Sequence, residues 1–284
     1  MRIATALFML AMVLGSPAPA DAAPHAGQDV TPLDYLPALR GDYFRIDSAA
    51  TGRPYHIYVR YPEGYDPSAA EVYPTVYLTD GDSLFPILAA NHLFLTYDDH
   101  LPEAIVVGIA YGGFAPLVNR RNFDFQPPGA GVSPEQAGAA AFQSFLKSEL
   151  IPDIERRYRS DPARRILFGQ SRGGAFVLYS AVTDPDLFWG RIASNPSLTP
   201  GMESLLEPAA PAMRSDLGLV VVSGTRDRPD LQAEASQWLS AWQARAEKPW
   251  RLLGVRLEGG THAANAPEAY RRAMNLLFGA VPTP

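Results

Sequence analysis

Two runs near the start of the chain, Gly41 to Ser48 and Pro54 to Tyr61, alternate apolar with polar residues and are rich in aromatic and β-branched side chains. They predict an antiparallel pair with Thr51-Gly52 in the turn. Beyond a turn-rich connection over 62–71 the pattern changes. Val72 to Thr79 predicts a strand ending in Asp80-Gly81-Asp82-Ser83, and Ser83 to His92 predicts a short helix. Ala104 to Ile109 is apolar almost throughout, as a strand covered on both faces should be. Gly112 to Gly131 reads as a long loop, and Pro134 to Tyr158 has helical spacing with Ser133 as its N-cap. Arg165 to Phe168 predicts a strand that runs into a tight turn and then an apolar helix through Tyr179. Further strands are expected at Gly190 to Ser194, Gly218 to Ser223 and Arg251 to Leu257, with helices at Leu231 to Ala246 and Pro267 to Phe278. Strands alternate with helices from residue 72 onward and no repeat is visible. The expectation is one α/β domain over 41–284, with a mostly parallel sheet and helices on both faces.

The residues before this domain carry a different signal. Arg2 supplies a positive start, Ile3 to Leu14 is apolar, and Gly15-Ser16-Pro17 breaks the run. Small residues then offer A-x-A sites at Ala18-Pro19-Ala20 and Ala20-Asp21-Ala22. A signal peptide over 1–22 is expected, with the mature chain starting near Asp21 or Ala23 and a linker over 23–40. No later stretch is apolar for long enough to span a bilayer, so no stable membrane insertion is expected after cleavage.

Composition narrows the function. A hydrophobic content of 47% in 284 residues is ample for one buried core. The formal net charge of −6 argues against a nucleic-acid partner. With no cysteine, disulfides, thiolate catalysis and cysteine-ligated metals are excluded. Asp80-Gly81-Asp82 resembles a fragment of a calcium loop, but the rest of that ligand pattern is missing, so no metal is expected.

The candidate chemistry centres on Gly169-Gln170-Ser171-Arg172-Gly173, a G-x-S-x-G between a predicted strand and a predicted helix. That context makes it a nucleophile elbow. The serine sits at a sharp turn, and a side chain two residues before or after it would strike the neighbouring strand or helix. A serine hydroxyl needs a base at neutral pH. In the α/β-hydrolase arrangement the chain order is Ser, then Asp or Glu, then His, and His262 is the only histidine after Ser171. It stands in a Gly-rich loop between the last strand and the closing helix. Asp227, three residues past Gly224, is the candidate acid, with Asp230 and Glu234 as rivals. The oxyanion hole is expected to use the backbone N–H groups of Arg172 and Asp82.

By these residues the chain resembles the putative esterase branch of the α/β-hydrolases, which includes esterase D-like enzymes and enterobactin-type siderophore esterases. The resemblance covers most of 41–280. It is carried by Tyr73 to Asp82, Val107-Gly108-Ile109, Arg121 to Pro127, Gly169 to Gly174, Asn195-Pro196-Ser197-Leu198 and the His262 loop. It implies ester hydrolysis of a small-molecule substrate without a cofactor, and it places Arg121 to Asp124 beside the site. Gln170 and Arg172 depart from many relatives, which have His and an apolar or aromatic residue there, and Thr199 stands where many have Trp. Arg172, Arg120, Arg121, Arg226 and Arg228 all fall in the candidate site loops. Guanidinium groups suit carboxylate, phosphate or catecholate oxygens, and Arg121 and Arg172 are the candidates for substrate binding. The competing reading is that Arg226 and Arg228 are solvated and Arg121 pairs with Asp124. Siderophore lactones are the most specific substrates to expect and carbohydrate esters the next. Acyl transfer and a non-catalytic binding protein are the other readings.

Overall fold

The structure, a computed structural model, describes residues 36–279. The expected signal peptide and most of the expected linker lie outside them. The last linker residues, Pro37–Leu39, form a single 3-10 turn.

Eight strands make one sheet: β1 (Gly41–Ser48), β2 (Arg53–Arg60), β3 (Tyr73–Leu78), β4 (Ile105–Ala110), β5 (Ser160–Gln170), β6 (Gly190–Ser194), β7 (Gly218–Gly224) and β8 (Arg251–Leu257). Their order is β1-β2-β4-β3-β5-β6-β7-β8. β1 and β2 form the expected hairpin, and β2 runs antiparallel to β4. From β4 to β8 every pairing is parallel. Every residue of β4 and of β6 is buried, so their lack of alternation is that of strands covered on both faces.

Seven helices complete the described fold: α1 (Gly81–Asp98), α2 (Arg121–Asp124), α3 (Ala139–Phe145), α4 (Ile151–Arg157), α5 (Arg172–Thr183), α6 (Pro229–Gln243) and α7 (Ala266–Phe278). α3 to α6 cover one face, where Phe142, Phe176 and Trp238 are fully buried. α1 and α7 cover the other, with Leu88, Tyr270 and Met274 inside. These last two helices are joined through His92. Its Nε2–H donates to the Pro102 carbonyl at 3.1 Å, so Nδ1 accepts from the Tyr270 hydroxyl at 2.9 Å. Burial lowers the His92 pKa to about 4.

Three differences from the sequence reading stand out, besides shifts of a few residues elsewhere and the short α2 inside the loop expected over 112–131. α1 runs over 81–98 rather than 83–92, because Leu88, Ala89, His92 and Leu95 continue its buried face. The single helix expected over 134–158 is instead a 3-10 turn at Pro134–Gln136 followed by α3, a π turn at Leu146–Leu150 and α4. Pro152 has no N–H to give to the carbonyl four residues back, and the wider turn just before it accommodates that loss. β5 begins at Ser160 rather than near 165, since Ser160 pairs with Tyr73 ahead of an irregularity in register.

Candidate active site

β5 delivers the chain to Ser171, and α5 starts one residue later. Ser171 has φ 60° and ψ −117°, a conformation few residues with a side chain adopt. The turn closes tightly on both sides. A Cβ on Gly169 would lie 2.2 Å from the Gly173 carbonyl oxygen, and one on Gly173 would lie 2.5 Å from Thr79 Oγ1. Glycine is therefore required at both places. The Ser171 amide donates to the Ser194 carbonyl at 2.9 Å, and its own carbonyl accepts from Ser197 at 3.1 Å, which ties the turn to β6 and the loop after it.

His262 and Asp227 come to this serine from the ends of β8 and β7. His262 Nε2 lies 3.0 Å from Ser171 Oγ, and Nδ1 lies 2.9 and 3.1 Å from the two oxygens of Asp227. A carboxylate only accepts, so Nδ1 carries the proton and Nε2 is left to accept the serine hydroxyl. Asp227 is buried, and one of its oxygens also accepts the Arg228 amide at 2.6 Å. The rivals are engaged elsewhere. Asp230 pairs with Arg228 at the surface, and Glu234 accepts the amides of Leu198 and Thr199 at 2.8 and 3.3 Å.

Asn195 holds this arrangement together, a part the sequence reading did not assign to it. Its Nδ2 donates to the carbonyls of Thr261 and His262 at 2.8 and 2.6 Å, and its Oδ1 accepts the Gly224 amide at 2.8 Å. One side chain thus pins both the histidine loop and the strand end before Asp227. Gln170 Nε2 adds a second bond to the His262 carbonyl. A polar residue directly after a short strand, beside the nucleophile strand, was the available signal.

On the other side of Ser171 lies the Asp80-Gly81-Asp82 turn. Asp82 lines the same cavity as Ser171, and its carboxylate accepts the amides of Tyr111, Gly112 and Gly113 at 2.8, 2.8 and 3.0 Å. Arg121 does not pair with Asp124. Its Nε and Nη2 donate to the two oxygens of Asp80 at 2.6 and 2.9 Å, and Nη2 reaches the Gln170 carbonyl at 3.4 Å. Burial alone would lower the Arg121 pKa, but the Asp80 carboxylate raises it above the ordinary guanidinium value. Asp124 is taken instead by Arg53 and by the hydroxyls of Tyr55 and Tyr111 at 2.8 and 3.0 Å.

Two cavities flank the turn. One, of about 600 Å³, holds Ser171 and His262 and is walled by Asp82, Leu84, Ile87 and Phe114. The other, of about 470 Å³, is lined by Arg120, Phe123, Gln126, Glu135, Arg172 and Pro200. Asn119 lines both. The Arg172 side chain thus faces away from the serine cavity, and its Nη1 donates to Gln126 Oε1 at 2.8 Å. Arg226 is exposed and Arg228 is in its surface pair, so neither guanidinium is brought to the cavities.

A family model described as Putative esterase matches residues 48–265. The ferri-bacillibactin esterase BesA of Bacillus subtilis (strain 168) is 34% identical over 169 residues, covering 54% of this chain and 57% of that protein. The siderophore triacetylfusarinine C esterase of Aspergillus fumigatus is 31% identical over 169 residues, covering 57% and 58%. The chain therefore spans less than two thirds of the length of these relatives. Among solved structures, the BES protein from Bacillus cereus superposes with a TM-score of 0.72 at 22% identity over 90% of this chain and 99% of that one. The enterobactin and salmochelin hydrolase IroE gives 0.66 at 23% identity over 84% and 94%. Both share the α/β-hydrolase fold described above.

Proposed function

The chain belongs to the putative esterase family, and from that premise we propose that it is an exported serine esterase that cleaves carboxylic esters through an acyl-enzyme. The observation that carries this reading is the unbroken hydrogen-bond chain from Asp227 through His262 to Ser171. Ser171 Oγ attacks the ester carbonyl carbon as His262 Nε2 takes its proton. The tetrahedral oxyanion is held by the backbone N–H groups of Arg172 and Asp82, at the starts of α5 and α1, where helix dipoles favour negative charge. His262 passes its proton to the departing alcohol oxygen, leaving an acyl group on Ser171. Water, deprotonated by His262, attacks that acyl carbon, and the serine recovers its proton as the acid leaves. Asp227 stays ionised throughout and stabilises the imidazolium.

Siderophore lactones are the first substrates to test, because the family relatives named above are siderophore esterases. Carbohydrate esters come next. Export rests on the apolar segment Ile3 to Leu14 and the small residues after it. Among the described residues no helix is long and apolar enough to cross a membrane. The deciding experiment is labelling with a fluorophosphonate probe, together with turnover of ester panels. Wild type should be labelled, and Ser171→Ala should lose both labelling and several orders of magnitude in turnover. Near-normal turnover in the alanine variant would remove the serine mechanism.

A further inference from the structure

The recess of about 470 Å³ beside the serine turn takes no part in the chemistry above, yet the charge at its base is held differently from the buried arginines elsewhere in the fold. Arg53, Arg60, Arg121 and Arg165 are each at least partly buried, and each has a carboxylate partner. Arg191, fully buried, spends its guanidinium on the carbonyls of Ser180, Asp184, Pro185 and Phe188. Arg172 is half-buried and makes one side-chain hydrogen bond among the described residues, to the neutral Gln126 Oε1. Among the described residues no ion pair is formed by it. Burial, and then the charge of Arg121, lower its pKa, as expected of a cation with no anion at hand.

The orientation of this cation is built in. Gln126 is buried, and its Nε2 donates to the carbonyls of Pro127 and Pro200 at 3.0 and 2.7 Å. Its Oε1 must therefore point to Arg172. One of the five guanidinium N–H groups is used in this way, and among the described residues the others are unspent, in a fork that suits the paired geometry carboxylates prefer. Arg120 adds a second positive charge at the rim, 5.7 Å from the Phe123 ring and without a carboxylate partner among the described residues. Glu135 is the one acid on the lining. Phe123, Val132 and Pro200 give the recess apolar wall between these charges.

The side of the ester bond it serves follows from the lining. The departing alcohol must leave beside His262 Nε2, which protonates it. The recess is lined by neither His262 nor Asp82; it shares Asn119 with the serine cavity and holds Arg172, the residue that follows the nucleophile. We propose that this recess is an acyl-side subsite that binds a carboxylate carried by the acyl group, held by Arg172 with Arg120 at the rim. This rests on the esterase reading, and names the class of ester as one whose acyl part ends in an anion.

The test compares p-nitrophenyl esters of succinate, glutarate and adipate, each with its distal carboxylate free or methylated, and butyrate esters of p-nitrophenols with or without a ring carboxylate. The free distal carboxylate should raise kcat/KM by about ten- to a hundredfold over its methyl ester, mostly through KM. A ring carboxylate should bring no such gain. Arg172→Gln should collapse the ratio between free and methylated esters, Arg172→Lys should restore part of it, and Arg120→Gln should lower it less. A wild-type ratio near one overturns the proposal without any variant, as does an equal gain from the ring carboxylate or a ratio untouched by Arg172→Gln. If the neutral esters are cleaved and only the ratio fails, the subsite falls and the esterase reading stands. If no ester is cleaved, both fall.

Discussion

On one side of the Ser171 turn every charged side chain lining the cavity has a partner. Asp80 is bound by Arg121, Asp82 by three backbone amides, and His262 by Asp227. On the other side Arg172 touches a neutral amide and Arg120 an aromatic ring. The two cavities are one residue apart in sequence at Ser171 and Arg172, so the contrast does not come from different neighbourhoods of the fold. On the readings proposed above, it separates two tasks. Groups that move protons need one geometry at every turnover, and a closed network supplies it without reorganisation. A group that receives part of a substrate needs donors still to be satisfied, oriented but unspent.

The contrast can be broken most forcefully on the closed side. Asp227→Asn should leave the protein folded but cut ester turnover by roughly 10³–10⁴-fold, because an amide in that place favours the wrong histidine tautomer. Asp230→Asn, whose pair with Arg228 is at the surface, should change little. A crippled Asp230 variant beside a healthy Asp227 variant would mean that the acid has been misassigned. Kinetics of the two variants, with circular dichroism to confirm folding, give the answer.

A second way in is through pH. His92 bridges α1, which begins in the Asp80–Asp82 wall, to α7, which follows the His262 loop. Its folded pKa of about 4 lies below the value of about 6.5 expected when unfolded. Between these values the unfolded chain binds a proton that the folded chain does not. The stabilisation is complete above the unfolded pKa and is lost as pH falls toward 4. The difference amounts to about 3 kcal/mol. Chemical denaturation at a series of pH values should show this slope in wild type and a flatter one in His92→Gln. Parallel slopes would exclude His92 as the source.

Salt gives the smallest effect and the finest discrimination. Raising ionic strength to about 0.5 M should reduce the preference for a distal carboxylate by roughly threefold, since Arg172 and Arg120 meet it in a recess open to solvent. Turnover of neutral esters, carried out among paired charges, should move much less. Equal salt effects on both kinds of ester would erase the distinction between the cavities.

Much of this was legible from the chain. The parallel sheet followed from apolar runs too continuous to face water, as at Val106-Val107-Gly108-Ile109. The meeting of Ser171 and His262 followed from a glycine-bounded turn and a histidine placed after the last strand. Asp227 was separable from Asp230 and Glu234 only by loop geometry, which spacing does not encode. The partner of Arg121 was missed because Asp80 lies 41 residues earlier, whereas Asp124, three residues on, is drawn to Arg53, Tyr55 and Tyr111 across the hairpin side of the sheet. Arg172 is a candidate for substrate binding from sequence because it directly follows Ser171, but its side chain lines the other cavity. The direction of its side chain is set by Gln126, whose own orientation depends on a carbonyl at Pro200 that no local pattern connects to it.

The backbone of Ser171 has a consequence for how such a protein changes over generations. At φ 60° and ψ −117° a serine is held in a conformation that costs about 1–3 kcal/mol relative to glycine. Ser171→Gly should therefore be inert as an enzyme and yet melt about 2–6 °C higher than wild type, and calorimetry of the two would show it. A lower midpoint for the glycine variant would mean that the serine side chain's contacts outweigh the cost of its backbone. With the predicted sign, stability and chemistry pull against each other at this one position. Selection for durability alone would favour glycine here, so a lineage released from the need to cut esters has an easy step away from activity. On the esterase reading proposed above, the serine is kept there by use.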